Sequence, residues 1–540
     1  MERLIREERY HLPFLFLFSL ILYLPFLGSR DLWAPVEPRY GEIVRVMFAK
    51  GEWIVPTVNG NLYTDKPILY FWLALGFSYI AGAVSEWTLR LPSALSSVGL
   101  VMVTYLLGKD CFNRRLGFFA ALVLATTARV VWEARWLHTD MLFTFFFTCS
   151  IYCFLRLWRS EEGKRDALLA YLFMGLAVLT KGFIGVVLPG LILGLFVILT
   201  GPMKGLRRLH LPLGIAVFLL VVSSWFVPVS LATQGRWMSE FVWVHHVQRY
   251  LSGLGHREPL YYYFINFPAD FLPWTLLLIP AAVAWRPQRG MLSRPIPLFL
   301  TIWFLAVFGF FSLSDTKRGL YLLPLYPPAA LFVAHTIVGF EQGERRGVRT
   351  LKAIGYSFFA VLIVASVSLP FVTLKLRPEL FRSAIPFALA NALGAFLVIR
   401  SLRKNDLSSA SLWIATTILL GILCSSGWIL PVIDNFKSPR VFAAEIRQRV
   451  APSDPLYIYA DTMNDFNFYL EREAIPVLSE PAMLAALKGS GAYVLVRERD
   501  LNRGLADSAA DWEVVIKGTT GSKEWALLRS SGKSSAREKG

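Results

Sequence analysis

The chain has 540 residues, of which 55% are hydrophobic and only 17% are charged, and its formal net charge is +17 at pH 7. Because a typical soluble domain is about 25% charged, this composition excludes a disordered or fibrous protein and favours a membrane protein. The basic excess does not indicate nucleic-acid binding: residues 434–540 carry 15 basic and 15 acidic side chains, so the surplus lies among the apolar segments.

Thirteen apolar runs approach the roughly 20 residues that a helix needs to cross the hydrocarbon core of a membrane. They are 12–28, 91–108, 115–132, 139–157, 166–180, 182–200, 210–232, 269–285, 295–313, 319–339, 351–374, 383–400 and 408–432. Every second connection is rich in arginine and lysine, so the positive-inside rule places the N-terminus and these connections in the cytoplasm and the C-terminal segment outside. The predicted fold class is an all-α polytopic membrane protein of about thirteen transmembrane helices.

Two predicted outer connections, 29–90 and 233–268, are too long to be turns. In the first, Pro38 stands where a first-turn proline is tolerated, and apolar residues follow at helical spacing, which predicts an amphipathic helix lying on the membrane. An aromatic stretch after Pro67 predicts a second interfacial helix. Counting this stretch as a span would place all later basic connections outside, so we expect it not to cross.

The C-terminal segment changes to the pattern of a small α/β domain. Helices are predicted over 440–450, 466–471 and 482–488, and strands over 456–460, 493–497, 513–517 and 525–528. The expected division is a transmembrane domain over 1–432 and an α/β domain over 433–540, on the outer side of the membrane.

Cations and carboxylates concentrate in the predicted outer connections. Asp140 opens an apolar run, where an ionisable side chain is costly and therefore a functional candidate. Glu37 and Lys66 are also candidates, with surface ion pairing or helix capping as the alternative. Other charged or titratable residues at these connections include Glu133, Arg135, His138, Lys181, His245, His246, Arg249, Arg257 and Lys317. Lys181 could instead extend its ammonium group towards water, and the two histidines lack a matching metal-ligand spacing.

This distribution of charge suits a ligand that combines an anionic group with a lipid tail. Arginine and lysine bind phosphate, whereas aromatic and interfacial segments accommodate a lipid chain. A polyprenyl phosphate sugar has both properties, and cations would stabilise its phosphate as the leaving group. A carboxylate such as Glu37 or Asp140 would orient or deprotonate an acceptor hydroxyl. Since there is no glycine-rich phosphate loop, a nucleotide sugar is disfavoured.

Seven motifs in order carry a family resemblance. They are Trp33-Ala-Pro-Val-Glu37-Pro-Arg39-Tyr40-Gly-Glu42-Ile, Asp65-Lys66-Pro67, Thr139-Asp140, Leu179-Thr-Lys181-Gly182, His246-Val-Gln-Arg249-Tyr250, His256-Arg257-Glu-Pro and Lys317 to Tyr321-Leu-Leu-Pro324. Through these motifs, the chain from about residue 10 to about residue 340 resembles the ArnT-type aminoarabinose transferases. These belong to the protein O-mannosyltransferase-like superfamily of GT-C glycosyltransferases.

The resemblance implies a GT-C enzyme of the bacterial inner membrane, with thirteen transmembrane helices, a periplasmic active site and a periplasmic C-terminal domain. Its expected partners are membrane lipid, an undecaprenyl-phosphate-linked sugar donor and a periplasmic glycolipid or glycan acceptor such as lipid A. We expect a monomer that does not bind nucleic acid. Two alternatives stay open: a protein O-glycosyltransferase of the same superfamily, and a transporter or lipid flippase, although neither an internal repeat nor a mid-span charge cluster favours transport.

The resemblance also implies roles for individual residues. Glu37 and Asp140 are the predicted catalytic carboxylates. The predicted substrate-binding residues are Arg39, Tyr40, Lys66, Arg249, His256, Arg257, Lys317, Arg318 and Tyr321. Asp65 and His246 match positions that can hold a divalent metal ion, and no other cofactor is expected.

The chain departs from the family pattern at the first loop. The family's acidic pair, Asp then Glu, is here Val36 and Glu37, and Pro38 follows where many relatives have threonine. Glu37 could take the carboxylate role, or Asp140 or Asp31 could, or an acceptor that is already ionised could need no base. The two differences argue against strict specificity for aminoarabinose and lipid A.

Overall fold

The computed structural model describes residues 7–159, 163–200, 209–243, 257–284, 295–341, 348–460, 466–488, 491–501, 512–521 and 523–530. The chain forms two compact units. The first unit consists of residues 1–27, 64–74 and 90–429, and the second consists of residues 28–63, 75–89 and 430–540. The second unit therefore combines most of the first predicted outer connection with the C-terminal segment.

The helices are α1 His11–Tyr23, α2 Glu37–Lys50, α3 Leu69–Ala81, α4 Glu86–Cys111, α5 Arg114–Ala125, α6 Ala128–Ala134, α7 Thr139–Arg159, α8 Lys164–Lys181, α9 Ile184–Thr200, α10 Leu211–Ala232, α11 Arg236–Val242, α12 Tyr262–Asp270, α13 Thr275–Ala284, α14 Pro295–Leu313, α15 Tyr326–Glu341, α16 Val348–Leu376, α17 Phe381–Arg403, α18 Leu407–Cys424, α19 Leu430–Lys437, α20 Arg440–Arg449, α21 Asn467–Leu470 and α22 Glu480–Lys488. The strands are β1 Thr57–Val58, β2 Asn61–Leu62, β3 Leu456–Tyr459, β4 Ile475–Val477, β5 Tyr493–Arg497, β6 Trp512–Thr520 and β7 Lys523–Ser530.

Each of the thirteen predicted apolar runs is largely helical. In the described part of the chain, eight helices are long and apolar enough to cross a membrane, or up to ten if each of two bent pairs forms one span. The three other runs correspond to α1, α8 and α9, which have 13, 18 and 17 residues. Helix α3 also has 13 residues and measures about 20 Å, which is shorter than the roughly 30 Å hydrocarbon core. The total of thirteen crossings stays a prediction.

Two of the predicted spans are bent. The run 115–132 divides into α5 and α6, which meet at 65°. At this bend the hydroxyl groups of Thr126 and Thr127 donate to backbone carbonyls one turn earlier, which competes with continuation of the helix. The run 269–285 contains only the end of α12, Tyr262–Asp270, and all of α13; these two helices meet at 114°, and Pro273 lies between them. Proline cannot donate the backbone hydrogen bond that a continuous helix needs.

Helices α7 and α8 pack side by side in the first unit. A short connection between two neighbouring helices makes them antiparallel, so the start of α7 lies beside the end of α8. The Ser150 hydroxyl donates to the carbonyl of Ala170 across this pair at 2.9 Å, and the rings of Phe154 and Tyr171 meet edge to face. The packing of this helix pair positions the charged residues at its ends.

The second unit contains a five-stranded sheet of order β4-β3-β5-β7-β6. Strand β3 is parallel to both β4 and β5, whereas β7 pairs antiparallel with β5 and β6. Met483, Val494, Val496, Ala526 and Leu528 form its buried core. Every helix and strand that the sequence predicted after residue 439 has a counterpart in the structure, and the predicted ends differ from the observed ends by at most about four residues.

The sequence analysis missed two pieces of the second unit. Strand β4 contains Pro476, which is compatible with its edge position because one side of an edge strand needs no N–H donor. The hairpin of β1 and β2 turns at Asn59 and Gly60, which have φ angles of 54° and 72°. Asn-Gly is the common dipeptide of such two-residue turns, so a signal for the hairpin was present.

Helices α4 and α5 pack backbone against backbone at two glycines. A Cβ atom added to Gly117 would lie 2.5 Å from the carbonyl oxygen of Tyr105, and one added to Gly108 would lie 2.6 Å from the Cα atom of Gly117. Small residues allow membrane helices to pack through their backbones. These contacts cannot be relieved by a side-chain rotation, because the opposing atoms belong to the backbone.

We expect Gly117→Ala to separate α4 from α5 and to destabilise the protein by about 1–3 kcal/mol, the usual cost of overpacking. Gly190→Ala is the matched control, since a Cβ atom there meets nothing within 4 Å. Thermal unfolding of the purified protein in detergent measures both effects. Equal transition midpoints for the two variants would show that the glycine contact does not limit packing.

Candidate active site

Asp140 and Lys181 form an ion pair in the first unit. Asp140 is the second residue of α7, and Lys181 is the last residue of α8. The Lys181 ammonium donates to the Asp140 carboxylate, and the two side chains are only 11% and 8% exposed. Each charge also lies at the helix end where the helix dipole favours it. Removing either partner would leave the other charge nearly buried and uncompensated.

Aromatic rings surround the ammonium of Lys181. Its Nζ atom lies 4.8 Å from the ring centre of Tyr321 and 5.2 Å from that of Phe143. Both distances are within the range of cation–π attraction. Tyr321 belongs to the 3₁₀ helix Gly319–Leu325, so this contact joins a third segment to the ends of α7 and α8.

Lys317 lies just before that 3₁₀ helix and holds two chain segments together. Its ammonium donates to the backbone carbonyls of Glu258 (2.8 Å) and Ser314 (2.5 Å), and the residue is 4% exposed. The Tyr263 hydroxyl lies 3.2–3.3 Å from the backbone carbonyl and N–H of Arg318. These bonds fix the Lys317 and Arg318 backbone beside the start of α12.

Predicted site residues around Lys317 differ in exposure. Arg257 is exposed and pairs through its backbone with Thr316. Arg318 and Tyr321 are partly exposed. The structure therefore brings Arg257, Lys317, Arg318 and Tyr321 onto two adjoining segments, as a common binding site would require.

Asp65 and Lys66 form a pair of partly exposed side chains. The Lys66 ammonium lies 3.3 Å from the Asp65 carboxylate and 3.2 Å from the carbonyl of the same residue. Asp65 is a predicted metal ligand, but the second one, His246, lies outside the described residues. In the described part of the chain, no three His, Cys, Asp or Glu side chains are grouped to hold a metal ion. A metal ion held by Asp65 and His246 therefore stays a prediction, and we assign no chemical step to a metal.

An ionic network that the sequence did not predict links α6 to α12. Arg129 donates to the carboxylates of Asp270 (2.6 Å) and Glu133 (3.2 Å). Glu133 is 1% exposed and also contacts the Nδ1 atom of His138 at 2.8 Å. The Ser93 hydroxyl donates to the carbonyl of His138. This network fixes the turn that immediately precedes Asp140.

Glu37 lies in the second unit and is completely buried. Its carboxylate accepts two hydrogen bonds from the Arg30 guanidinium, at 2.7 and 2.9 Å, and a third from the Trp33 N–H at 3.0 Å. The Arg30 guanidinium also lies 4.5 Å from the ring centre of Trp33. Glu37 therefore holds the segment that precedes α2 against the start of this helix, through its bonds to Arg30 and Trp33. Arg39 is partly exposed and Tyr40 is buried in the same helix.

Asp31 and Asp434 connect this segment to α19 and α20. The Asp434 carboxylate accepts from the Asp31 N–H (2.9 Å) and the Trp33 indole N–H (2.6 Å). Arg440 pairs with Asp31 at 3.1 Å and with Glu86. The sequence analysis gave Asp434 and Arg440 no role, because their partners lie some 350–400 residues earlier in the chain.

Titratable groups of α2 and α21 are also affected by burial. Burial raises the pKa of the Glu42 carboxyl, although Arg45 donates to this group at 2.6 and 2.7 Å and opposes the shift. Burial likewise raises the pKa of the Tyr469 hydroxyl, which donates to Glu86 at 3.0 Å. The Tyr469 hydroxyl stays protonated at neutral pH and holds Glu86 beside Arg440.

The structure thus places the predicted residues in four groups, one of which is the pair of Asp65 and Lys66. Asp140 pairs with Lys181; Arg257, Lys317, Arg318 and Tyr321 adjoin it in the first unit; and Glu37, Arg39 and Tyr40 belong to the second unit. Arg249, His256 and His246 lie outside the described residues. Lys181 was considered but not selected from the sequence, although the alternation of loops placed it on the same side as Asp140.

Comparisons with known proteins find similarity to glycosyltransferases that use lipid-linked sugars. The family model described as dolichyl-phosphate-mannose-protein mannosyltransferase matches residues 65–227. The undecaprenyl phosphate-alpha-4-amino-4-deoxy-L-arabinose arabinosyl transferase of Shewanella sediminis is 29% identical over 471 residues, which cover 85% of this chain and 84% of that protein. A transferase of the same name, numbered 1, from Pseudomonas fluorescens is 29% identical, with 83% and 79% covered.

A solved structure shows the same fold. The crystal structure of ArnT from Cupriavidus metallidurans bound to undecaprenyl phosphate superposes with a TM-score of 0.78 at 24% identity, covering 95% of this chain and 97% of that one. This likeness extends over both compact units, because so little of either chain is left uncovered.

The buried pair of Arg30 and Glu37 generates a stability prediction. We expect Arg30→Gln to destabilise the second unit by about 3 kcal/mol, because Glu37 would keep a buried charge without its bidentate partner. The matched control is Arg447→Gln, whose ion pair with Glu471 is exposed and worth about 1 kcal/mol or less. Thermal unfolding and the rate of proteolysis within 28–63 measure the difference.

Replacing Arg30 and Glu37 together by glutamine should recover part of the loss, because no uncompensated charge remains. If Arg30→Gln and Arg447→Gln shift the unfolding midpoint equally, the buried pair does not hold the segment.

Proposed function

Because the chain is an ArnT-like GT-C glycosyltransferase, we propose that it transfers a sugar from a polyprenyl phosphate donor, in particular an undecaprenyl-phosphate-linked sugar, to an acceptor on the outer face of the bacterial inner membrane. The observation that carries this proposal is the group of Asp140, Lys181, Lys317 and Tyr321, in which charged and aromatic side chains meet at the ends of apolar helices. Such a group suits a ligand with a phosphate and a lipid chain.

The transfer breaks the bond between the anomeric carbon of the sugar and an oxygen of the polyprenyl phosphate. A new bond forms between that carbon and an oxygen of the acceptor, and the electron pair of the broken bond remains on the phosphate. If the acceptor oxygen carries a proton, this proton passes as the bond forms to a base, which is either the Asp140 carboxylate or the released phosphate. The enzyme therefore has to stabilise negative charge on the phosphate and to orient the acceptor.

Lys317 is suited to the phosphate because its hydrogen-bond partners carry no net charge. An ammonium group has three N–H donors, and two of them are directed at the carbonyls of Glu258 and Ser314. The full positive charge therefore remains available, together with a third donor. Arg257 on the adjoining segment would add positive charge for the same phosphate. Lys66 pairs with the Asp65 carboxylate and stays a predicted substrate-binding residue.

Asp140 and Lys181 are suited to a different task. Their charges cancel within the pair, so they contribute little to binding an anion. We assign Asp140 to orienting an acceptor or sugar hydroxyl, with Lys181 and Tyr321 holding the carboxylate in place. Glu37 is the predicted second catalytic carboxylate. Its three hydrogen bonds favour a role in shaping the first loop instead.

We propose lipid A or another envelope glycan as the acceptor, as the motif resemblance to the ArnT-type transferases implies; the names of the relatives give the sugar and its lipid carrier. A protein acceptor is the second candidate, because the family model that matches 65–227 is described as a protein mannosyltransferase. Mass spectrometry of lipid A, envelope glycans and envelope proteins, with and without the gene, separates the two. A sugar lost only from proteins would favour the second candidate.

The finer membrane arrangement is part of the proposal. We propose thirteen crossings, a cytoplasmic N-terminus, a periplasmic domain over 433–540 and a monomer. The helical state of each predicted run and the alternation of basic connections support this arrangement.

We expect Asp140→Asn to reduce sugar transfer about 10²-fold or more, because the uncharged amide neither accepts from an acceptor hydroxyl as a carboxylate does nor retains Lys181. The assay uses the purified enzyme in proteoliposomes with an undecaprenyl-phosphate-linked sugar. Asp406→Asn is the matched control: this carboxylate accepts from the Ser409 N–H at the start of α18, and asparagine caps a helix equally well. Full activity of Asp140→Asn would contradict the assigned role.

Alkaline phosphatase fusions test the topology. We expect phosphatase activity for fusions after Arg377 and after Gly540, and none for a fusion after Lys404, because alkaline phosphatase is active only when it reaches the periplasm. The first and last positions are predicted to be outside, and the connection at Lys404 is predicted to be cytoplasmic. A fusion with the opposite activity would contradict the proposed arrangement, since one unrecognised crossing changes the side of all later connections.

A further inference from the structure

A groove of about 400 Å³ lies between α4, α7 and α8, at the ends of these helices opposite to Asp140 and Lys181. Its floor is apolar: Met102 and Leu106 come from α4, Cys149 from α7 and Phe173 from α8. The groove lies entirely within the first unit. It is separate from the proposed sugar-transfer site, which lies at the other end of α7 and α8.

The groove has the length of a lipid chain in one leaflet. Along α7 its lining extends from Phe145 to Arg156, which is about 16 Å at 1.5 Å per residue. This length is about half of the roughly 30 Å hydrocarbon core. Both α4 and α7 are long and apolar enough to cross the membrane, so the floor of the groove is at the depth of acyl chains.

The end of the groove is polar and carries two arginines. Arg156 lines it from the last turn of α7, and its side chain is 51% exposed. The Arg156 Nε–H donates to Asp166 at 3.2 Å, and the guanidinium also contacts Tyr152, with its carbon 5.7 Å from the ring centre. A guanidinium has five N–H donors, so these two contacts do not use all of them. Arg165 is exposed and forms no ion pair within the described residues. Two cations and one carboxylate leave one net positive charge there.

We propose that this groove binds an anionic glycerophospholipid of the surrounding membrane. An acyl chain fills the apolar floor, and the phosphate accepts hydrogen bonds from Arg156 and Arg165. A free phosphate ion would not use the apolar floor. A zwitterionic lipid would bring an ammonium group to a site that is already positive, so the net charge favours an anionic head group.

The bound lipid stabilises the helix pair that carries the ion pair of Asp140 and Lys181. A ligand that binds only the folded protein raises its stability as the ligand concentration exceeds the dissociation constant. The lipid contacts α7 and α8 together and thereby favours their packed arrangement. This inference does not depend on the identity of the sugar, the donor or the acceptor.

Native mass spectrometry of the full-length protein, titrated with phosphatidylglycerol or phosphatidylethanolamine in detergent, tests the proposal. We expect at least one phosphatidylglycerol to be retained preferentially and to raise the thermal transition midpoint. Arg156→Gln combined with Arg165→Gln should weaken this binding about tenfold or more, because charge-assisted hydrogen bonds to the phosphate are lost. Arg400→Gln combined with Arg403→Gln removes the same charge from exposed positions of α17 and should change nothing.

A second variant tests the apolar floor. Leu106→Trp fills the groove without changing any charge, and we expect it to reduce phosphatidylglycerol retention as well. The unfolding midpoint without lipid and a single symmetric elution peak establish that each variant is folded. Equal retention of the two lipids by the wild-type protein, undiminished retention in either groove variant, or an equal loss in the α17 control would overturn the proposal.

Discussion

The requirement that a nearly buried charge has a partner determines where functional groups can be placed in this protein. An uncompensated charge in such a position costs several kcal/mol, so each charged residue brings a second residue with it. The pair of Asp140 and Lys181 satisfies this requirement only if the start of α7 lies beside the end of α8. The short connection between these helices provides that arrangement, and the network of Arg129, Glu133 and His138 fixes the turn before it.

The identity of the partner then determines what a charged group can do. Lys317 is held by backbone carbonyls and keeps its full charge, whereas the charge of Lys181 is cancelled by a carboxylate. The two lysines therefore differ in their expected effect on an anion, although both are nearly buried lysines in the same unit. In the second unit, Glu37 resembles Lys181 in that its charge is cancelled by a partner. Its carboxylate accepts from Arg30 and the Trp33 N–H, and these bonds fix the backbone before α2.

The sequence predicted those features that depend on local composition. Apolar runs and the alternation of basic connections identified the helical segments, and the α2 helix began at Glu37 as its first-turn proline indicated. The bend at Thr126 was not predicted, because the run 115–132 is mostly apolar on both sides of it. The bend at Pro273 was missed because most of α12 lies before the predicted run 269–285. Partners distant in the chain were also missed. Asp434 contacts the N–H groups of Asp31 and Trp33, and no periodicity relates residues that are some 400 positions apart.

The three candidate carboxylates bear on the question of the acceptor. The sequence left Glu37, Asp140 and Asp31 as possible bases, and the structure pairs each of them with a cation: Arg30, Lys181 and Arg440, respectively. Position 36, where the family has a further acid, is occupied by a nearly buried valine. A carboxylate that is engaged by a cation orients a hydroxyl more readily than it removes a proton. An acceptor whose oxygen is already ionised, such as a phosphate group, would avoid this limitation, because the transfer would then need charge stabilisation and alignment but no base.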